Sequence, residues 1–221
     1  LEYPMATLIM GNGKLNGLYG LAMHEWMHSW YQGMLATNES LYPWMDEGFT
    51  TFAESNVVHN TIDSLKNNNA QANSYAGYFA LAASPFEEPA TTHADHYNTN
   101  YGYSLTAYSK GAVFLEQLGY VIGAENRDAG LLRYYREWRF KPPNVNIFIR
   151  VMEKQSCTAL VWYPQYFINS NKHIDYGIDD VSEKDGKTVV RLRRIGYMPM
   201  PVDLMVTGKN GNKVLHYIPL S

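Results

Sequence analysis

Two histidines four residues apart, with a glutamate directly after the first, stand in the string His24-Glu25-Trp26-Met27-His28. On a helix, residues at i and i+4 share a face, so both imidazoles can reach one metal ion. A zinc ion in a hydrolytic site takes three protein ligands and keeps a fourth position for water, so another nitrogen, oxygen or sulfur donor is needed. The candidate is Glu47, which follows after eighteen intervening residues inside Trp44-Met45-Asp46-Glu47-Gly48. Glu25 points about 100° around the helix from His24, too far to bind the same ion well and near enough to touch its water. A general base belongs there. The chemistry expected of the set is hydrolysis by a water whose pKa the metal lowers toward ~7.

Such a site needs two helices. The pattern predicts one over residues 21–34 and a second over 46–58, with a connection long enough to bring the second antiparallel to the first. Residues 1–10 alternate weakly and predict a strand, ended by Gly11-Asn12-Gly13 and Asn16-Gly17. Residues 61–83 predict helices with a soft joint at the polar stretch 67–73. Residues 84–102, with Pro85 and Pro89, predict a long loop beside the site. Apolar spacing predicts helix over 104–139 with a break at Gly123, and again over 146–169 after Pro142-Pro143. Asp185-Gly186 marks a hairpin-type turn before a basic and apolar alternation at 188–194, and Asn210-Gly211 marks another between 202–206 and 214–218. The expected architecture is mainly α, with a helix-rich domain over residues 1–182 and a β-strand unit over 183–221.

The metal segment resembles the gluzincin aminopeptidase family, which includes aminopeptidase N and leukotriene hydrolase, in its H-E-x-x-H string, its spacing and its W-x-(N/D)-E-G-F stretch. Ala107-Tyr108-Ser109-Lys110-Gly111-Ala112 is similar to the family's Y-x-K-G-A segment. Glu2-Tyr3-Pro4-Met5 resembles the end of its G-x-M-E-N motif, with Tyr3 where the family has asparagine. The stretch from Arg194 to Val202 looks like the entry to a following β-domain. The resemblance implies a thermolysin-like zinc peptidase domain, incomplete at its amino terminus, running into the first strands of a β-sandwich-like unit. It implies one zinc ion on His24, His28 and Glu47, with Glu25 as base. Tyr108 would contact the reacting carbonyl, and Glu2 would pair with the free ammonium of a peptide substrate. A β-domain upstream in the full-length chain would be an intramolecular partner, and a signal or anchor would lie there too. Tyr3 keeps endopeptidase or epoxide-hydrolase chemistry open on the same site. A further alternative is a zinc-stabilised binding module without activity, against which an intact Glu25 argues, since a structural zinc has no use for a base.

Composition fits a globular enzyme. Of 221 residues 46% are hydrophobic, enough for one sizeable core and a small appended unit. A net charge of −3 gives no electrostatic reason to expect nucleic acid, and no apolar run approaches the roughly 20 residues of a membrane span. Cys157, the single cysteine, excludes an internal disulfide, leaves the compartment open, and reads as a buried thiol. His93 and His96 around Asp95 read as polar loop residues rather than a second metal site, and His59 and His173 as structural. Trp26, Trp30 and Trp44 read as core or pocket wall. Glu54, two turns after Glu47, reads as a carboxylate that orients a ligand. Arg191, Arg193 and Arg194 read as a solvated strand face.

Overall fold

The computed structural model describes residues 1–3, 5–11, 13–62 and 69–220. The two helices that the site needs lie side by side, α1 over Leu15–Tyr31 and α2 over Pro43–Thr61. α1 begins earlier than expected because Asn16 and Gly17 enter its first turn instead of closing the segment before it. It ends where Gln32 and Gly33 both donate backbone hydrogen bonds to the His28 carbonyl, at 3.0 and 2.7 Å. Pro43 starts α2, a position where its missing N–H costs nothing. The first half of α2 is the buried half, carrying Trp44, Met45, Asp46, Phe49, Thr50 and Phe52.

The remaining helices build the floor beneath these two. They are α3 (Ala72–Ala82), a 3₁₀ turn at Ala94–His96, α4 (Asn100–Ser104), a π-helical stretch at Leu105–Lys110, α5 (Gly111–Ile122), α6 (Ala124–Trp138), α7 (Val145–Ser156) and α8 (Trp162–Phe167). Gly123 at φ 88° separates α5 from α6 as its sequence position predicts. The single helix expected over 146–169 is instead two, because Cys157 turns left-handed at φ 53° and stops α7. That corner leaves Cys157 exposed, which corrects its reading as a buried thiol. Residues 63–68, where part of the expected soft joint falls, lie outside the described residues.

Aromatic rings fill the core. Phe114 meets Trp44 at 5.0 Å and Tyr163 at 4.8 Å between ring centroids, and Phe148 meets Phe49 at 4.9 Å and Tyr134 at 5.2 Å. Most of these contacts are edge-on or tilted, the arrangements that ring quadrupoles favour. The buried Tyr163 hydroxyl donates to the Phe114 carbonyl at 2.7 Å, so it carries no unpaired polar atom into the core. α2 crosses α5 with backbone against backbone. A Cβ on Gly48 would stand 2.6 Å from Gly111 Cα, and one on Gly111 would stand 2.8 Å from Gly48 Cα. Only glycine at both positions allows this approach.

The expected strand over residues 1–10 is a small hairpin, with β1 (Glu2–Tyr3) antiparallel to β2 (Ala6–Thr7) and Met5 at φ 63° in the connection. The chain divides into two compact units, Leu1–Asn171 and Lys172–Ser221. The second holds two antiparallel hairpins, β3 (Tyr176–Lys184) with β4 (Lys187–Arg194) and β5 (Val202–Thr207) with β6 (Lys213–Ile218). A division after residue 182 would cut β3, whose register partners all lie on β4, so the strand stays with the later unit. Asp185 and Gly186, at φ 53° and 70°, make the tight turn of the first hairpin, and Gly211 at φ 81° turns the second. Among the described residues, no helix is long and apolar enough to cross a membrane.

Candidate metal centre

One turn of α1 places His24 and His28 on its α2-facing side, and the start of α2 brings Glu47 to both. Glu47 Oε2 lies 3.1 Å from His24 Nε2 and 3.2 Å from His28 Nε2, and the two Nε2 atoms are 3.2 Å apart. Two ligands held at zinc's bond length in a tetrahedral shell stand about 3.3 Å apart. The three atoms therefore form a nearly equilateral face of the size that one such ion requires. Their chemistry fits as well. Burial favours the neutral acid of Glu47, but hydrogen bonds from His24, His28 and Tyr108 outweigh it and hold the carboxyl down at about 2. Burial favours the neutral ring of His28, but hydrogen bonds to Asp46 and Glu47 outweigh that and raise its pKa. A cation entering between the donors takes over the stabilising charge of that proton and displaces it.

Asp46, the neighbour of Glu47 on α2, accepts a 2.7 Å hydrogen bond from His28 Nδ1. Sequence reading missed it, because its reach to His28 depends on how α2 is rotated against α1. Its one signal was adjacency to a ligand. Glu54, read from spacing as the orienting carboxylate, lies with His24, Thr51 and Tyr108 along the cleft beside the site, its carboxyl raised by burial against the opposing effect of His24.

Glu25 is buried on α1, its carboxylate in ion-pair contact with the Leu1 ammonium at 2.6 Å. Glu2 of β1 lies 3.8 Å from the same ammonium, and the donor atoms of Glu2, Glu25 and His28 fall within 4.8 Å of one another. Tyr108 reaches the centre from the π-helical stretch, its ring stacked on His24 at 5.6 Å and 14°. Burial and the neighbouring Glu47 charge push the phenol well above its ordinary pKa, so the hydroxyl keeps its proton. The structure thus brings all six residues predicted from sequence into one neighbourhood.

The seat of Tyr108 contains a second feature that sequence reading missed. Lys110, fully buried, donates to Glu87 at 2.8 Å and to the Ser170 carbonyl at 3.3 Å. A lysine two residues from Tyr108 was visible, but its partner 23 positions away was not. Elsewhere the tryptophans separate, with Trp44 wholly in the core while Trp26 and Trp30 are exposed. The rings of His93 and His96 are 4.9 Å apart, but no three-donor group among the described residues includes them.

The Peptidase family M1 domain matches residues 14–165, which contain the three-donor face, Glu25 and Tyr108 but leave Glu2 outside. Aminopeptidase N of Escherichia coli (strain K12) is 24% identical over 158 residues, covering 71% of this chain and 18% of that protein. An M1 zinc metallopeptidase point mutant from Deinococcus radiodurans, bound to the substrate Tyr-Ser-Ala, superposes with a TM-score of 0.58 at 18% identity. That alignment covers 74% of this chain and 34% of the other. The unmutated Deinococcus enzyme gives a TM-score of 0.57 at 19% identity over 69% of this chain and 33% of its own. The chain thus spans about a fifth of the curated relative and a third of the solved structures, and these low identities speak for the fold alone. The domain match covers well over half of the sequence and includes every residue of the three-donor face, so this chain belongs to peptidase family M1.

Proposed function

We propose that this chain carries the catalytic centre of a zinc-dependent aminopeptidase, hydrolysing the first peptide bond of peptides with a free amino terminus. The observation that carries this reading is the triangle of His24, His28 and Glu47 donor atoms at 3.1, 3.2 and 3.2 Å. Bound on that face, zinc supplies Lewis acidity toward a carbonyl and acidity to water. Glu25 accepts the proton of the attacking water and hands it to the leaving amine, and its burial keeps bulk water from competing for that proton. Tyr108, with its hydroxyl protonated, donates a hydrogen bond to the oxygen on which charge develops, worth ~2.7–4 kcal/mol for donors of this kind. Glu2 pairs with the substrate ammonium and sets the length of peptide that fits ahead of the bond to be cut.

Matched peptides, one free and one amino-terminally acetylated, test this in the full-length protein. The free peptide is expected to be cleaved and the acetylated one spared, because the blocked terminus cannot form the charge-assisted hydrogen bond. Glu2→Ala should erase most of that preference. Equal cleavage of both peptides, or internal cuts as the main products, would replace aminopeptidase with endopeptidase.

A further inference from the structure

Consecutive residues of α2 grip opposite edges of one imidazole. Glu47 Oε2 faces Nε2 of His28 at 3.2 Å, while Asp46 Oδ1 takes the Nδ1 edge at 2.7 Å. We propose that Asp46 is a positioning residue for the metal, holding the proton of His28 on Nδ1 so that Nε2 offers its lone pair to the cation. The inference rests on the three-donor site described above. A neutral imidazole has one N–H, and whichever nitrogen keeps it cannot ligate. Asp46 and His28 are 1% and 2% exposed, so no bulk water competes for that proton. Thr50 Oγ1 also approaches Nδ1, but at 3.3 Å. With the Nδ1 proton directed at Asp46, that hydroxyl has nothing to accept. The carboxylate also leaves net negative charge behind the ring, which strengthens its donation to a cation beyond what a neutral acceptor gives.

The test is the zinc affinity of the whole chain, by competition with a chromophoric chelator, for wild type, D46A, D46N and T50V. Melting of each metal-free protein serves as a folding control, and long-range ¹H–¹⁵N spectra of the zinc-loaded forms locate the His28 proton. D46A should weaken zinc binding by roughly 10–100-fold. D46N should weaken it less, because the amide oxygen still accepts the proton but carries no charge, and T50V should bind as wild type does. The His28 proton should sit on Nδ1 in wild type and D46N, with its resonance moved upfield in D46N as the hydrogen bond loses its charge. If D46A folds and binds zinc as tightly as wild type, or the proton is found on Nε2, the positioning role is overturned while the metal site stands. Should D46A fail to fold, the nearly isosteric D46N decides, and wild-type affinity with an unmoved Nδ1 resonance overturns the proposal. A folded wild type that takes up no zinc overturns the metal site itself, and this inference with it.

Discussion

Two regions meet at the centre, and they are built to different standards. The ligand end is held from below by large buried surfaces. Its α2 ligand stands beside Gly48, pressed against Gly111, and its tyrosine sits two residues from a fully buried lysine. The end proposed to recognise the substrate amine is a hairpin of two-residue strands with Tyr3 and Met5 exposed. Metal ligands must be preorganised within fractions of an ångström, and rigid packing achieves that. A carboxylate that finds an ammonium by charge tolerates a looser mount. The difference predicts that damage to the first region costs chemistry and stability together, while damage to the second alters selectivity and little else.

The largest effect is expected where geometry stays intact and only the proton acceptor is lost. Glu25→Gln in the full-length enzyme should retain its metal and lose ~10²–10⁴-fold in kcat. Activity within a few-fold of wild type would remove Glu25 from the reaction. Next comes the seat of Tyr108. Lys110→Met keeps the volume but breaks the buried pair with Glu87, a change that costs about 3–5 kcal/mol of unfolding free energy. Denaturant titration reads this directly, and restoring part of the loss with Glu87→Gln in the same chain would show that the broken charge pair is the cause. The smallest effect is expected at the hairpin. Tyr3→Ala, at an exposed position, should change stability by no more than about 0.5 kcal/mol. A larger loss would mean that the hairpin is packed as firmly as the ligand end and that the contrast between the two regions is false.

What the sequence revealed follows the same division. His24, Glu25 and His28 were legible because a helix fixes their relation within four residues, and Glu47 because the chemistry demanded a third donor from a nearby helix. Tyr108 and Glu2 entered through family resemblance, since neither spacing nor composition singles them out. Asp46 and the Lys110–Glu87 pair were not legible. Each depends on the rotation or register of one element against another, which no local pattern encodes. The same cause explains β3, whose residues show no clear alternation and which is fixed as a strand by its pairing with β4, and the early break at Cys157, where the backbone turns left-handed without glycine. Turns that demand glycine, at Gly123 and Gly186, were readable because the residue type itself carries the constraint.

The central claim is that two imidazoles and one carboxylate hold a single zinc ion. Elemental analysis of purified, zinc-reconstituted and dialysed full-length protein tests it most directly, on wild type beside Glu47→Ala. A three-donor face predicts one zinc per chain in wild type and a large loss in the variant, with both proteins folded. Undiminished zinc in folded Glu47→Ala, or none in folded wild type, would contradict it.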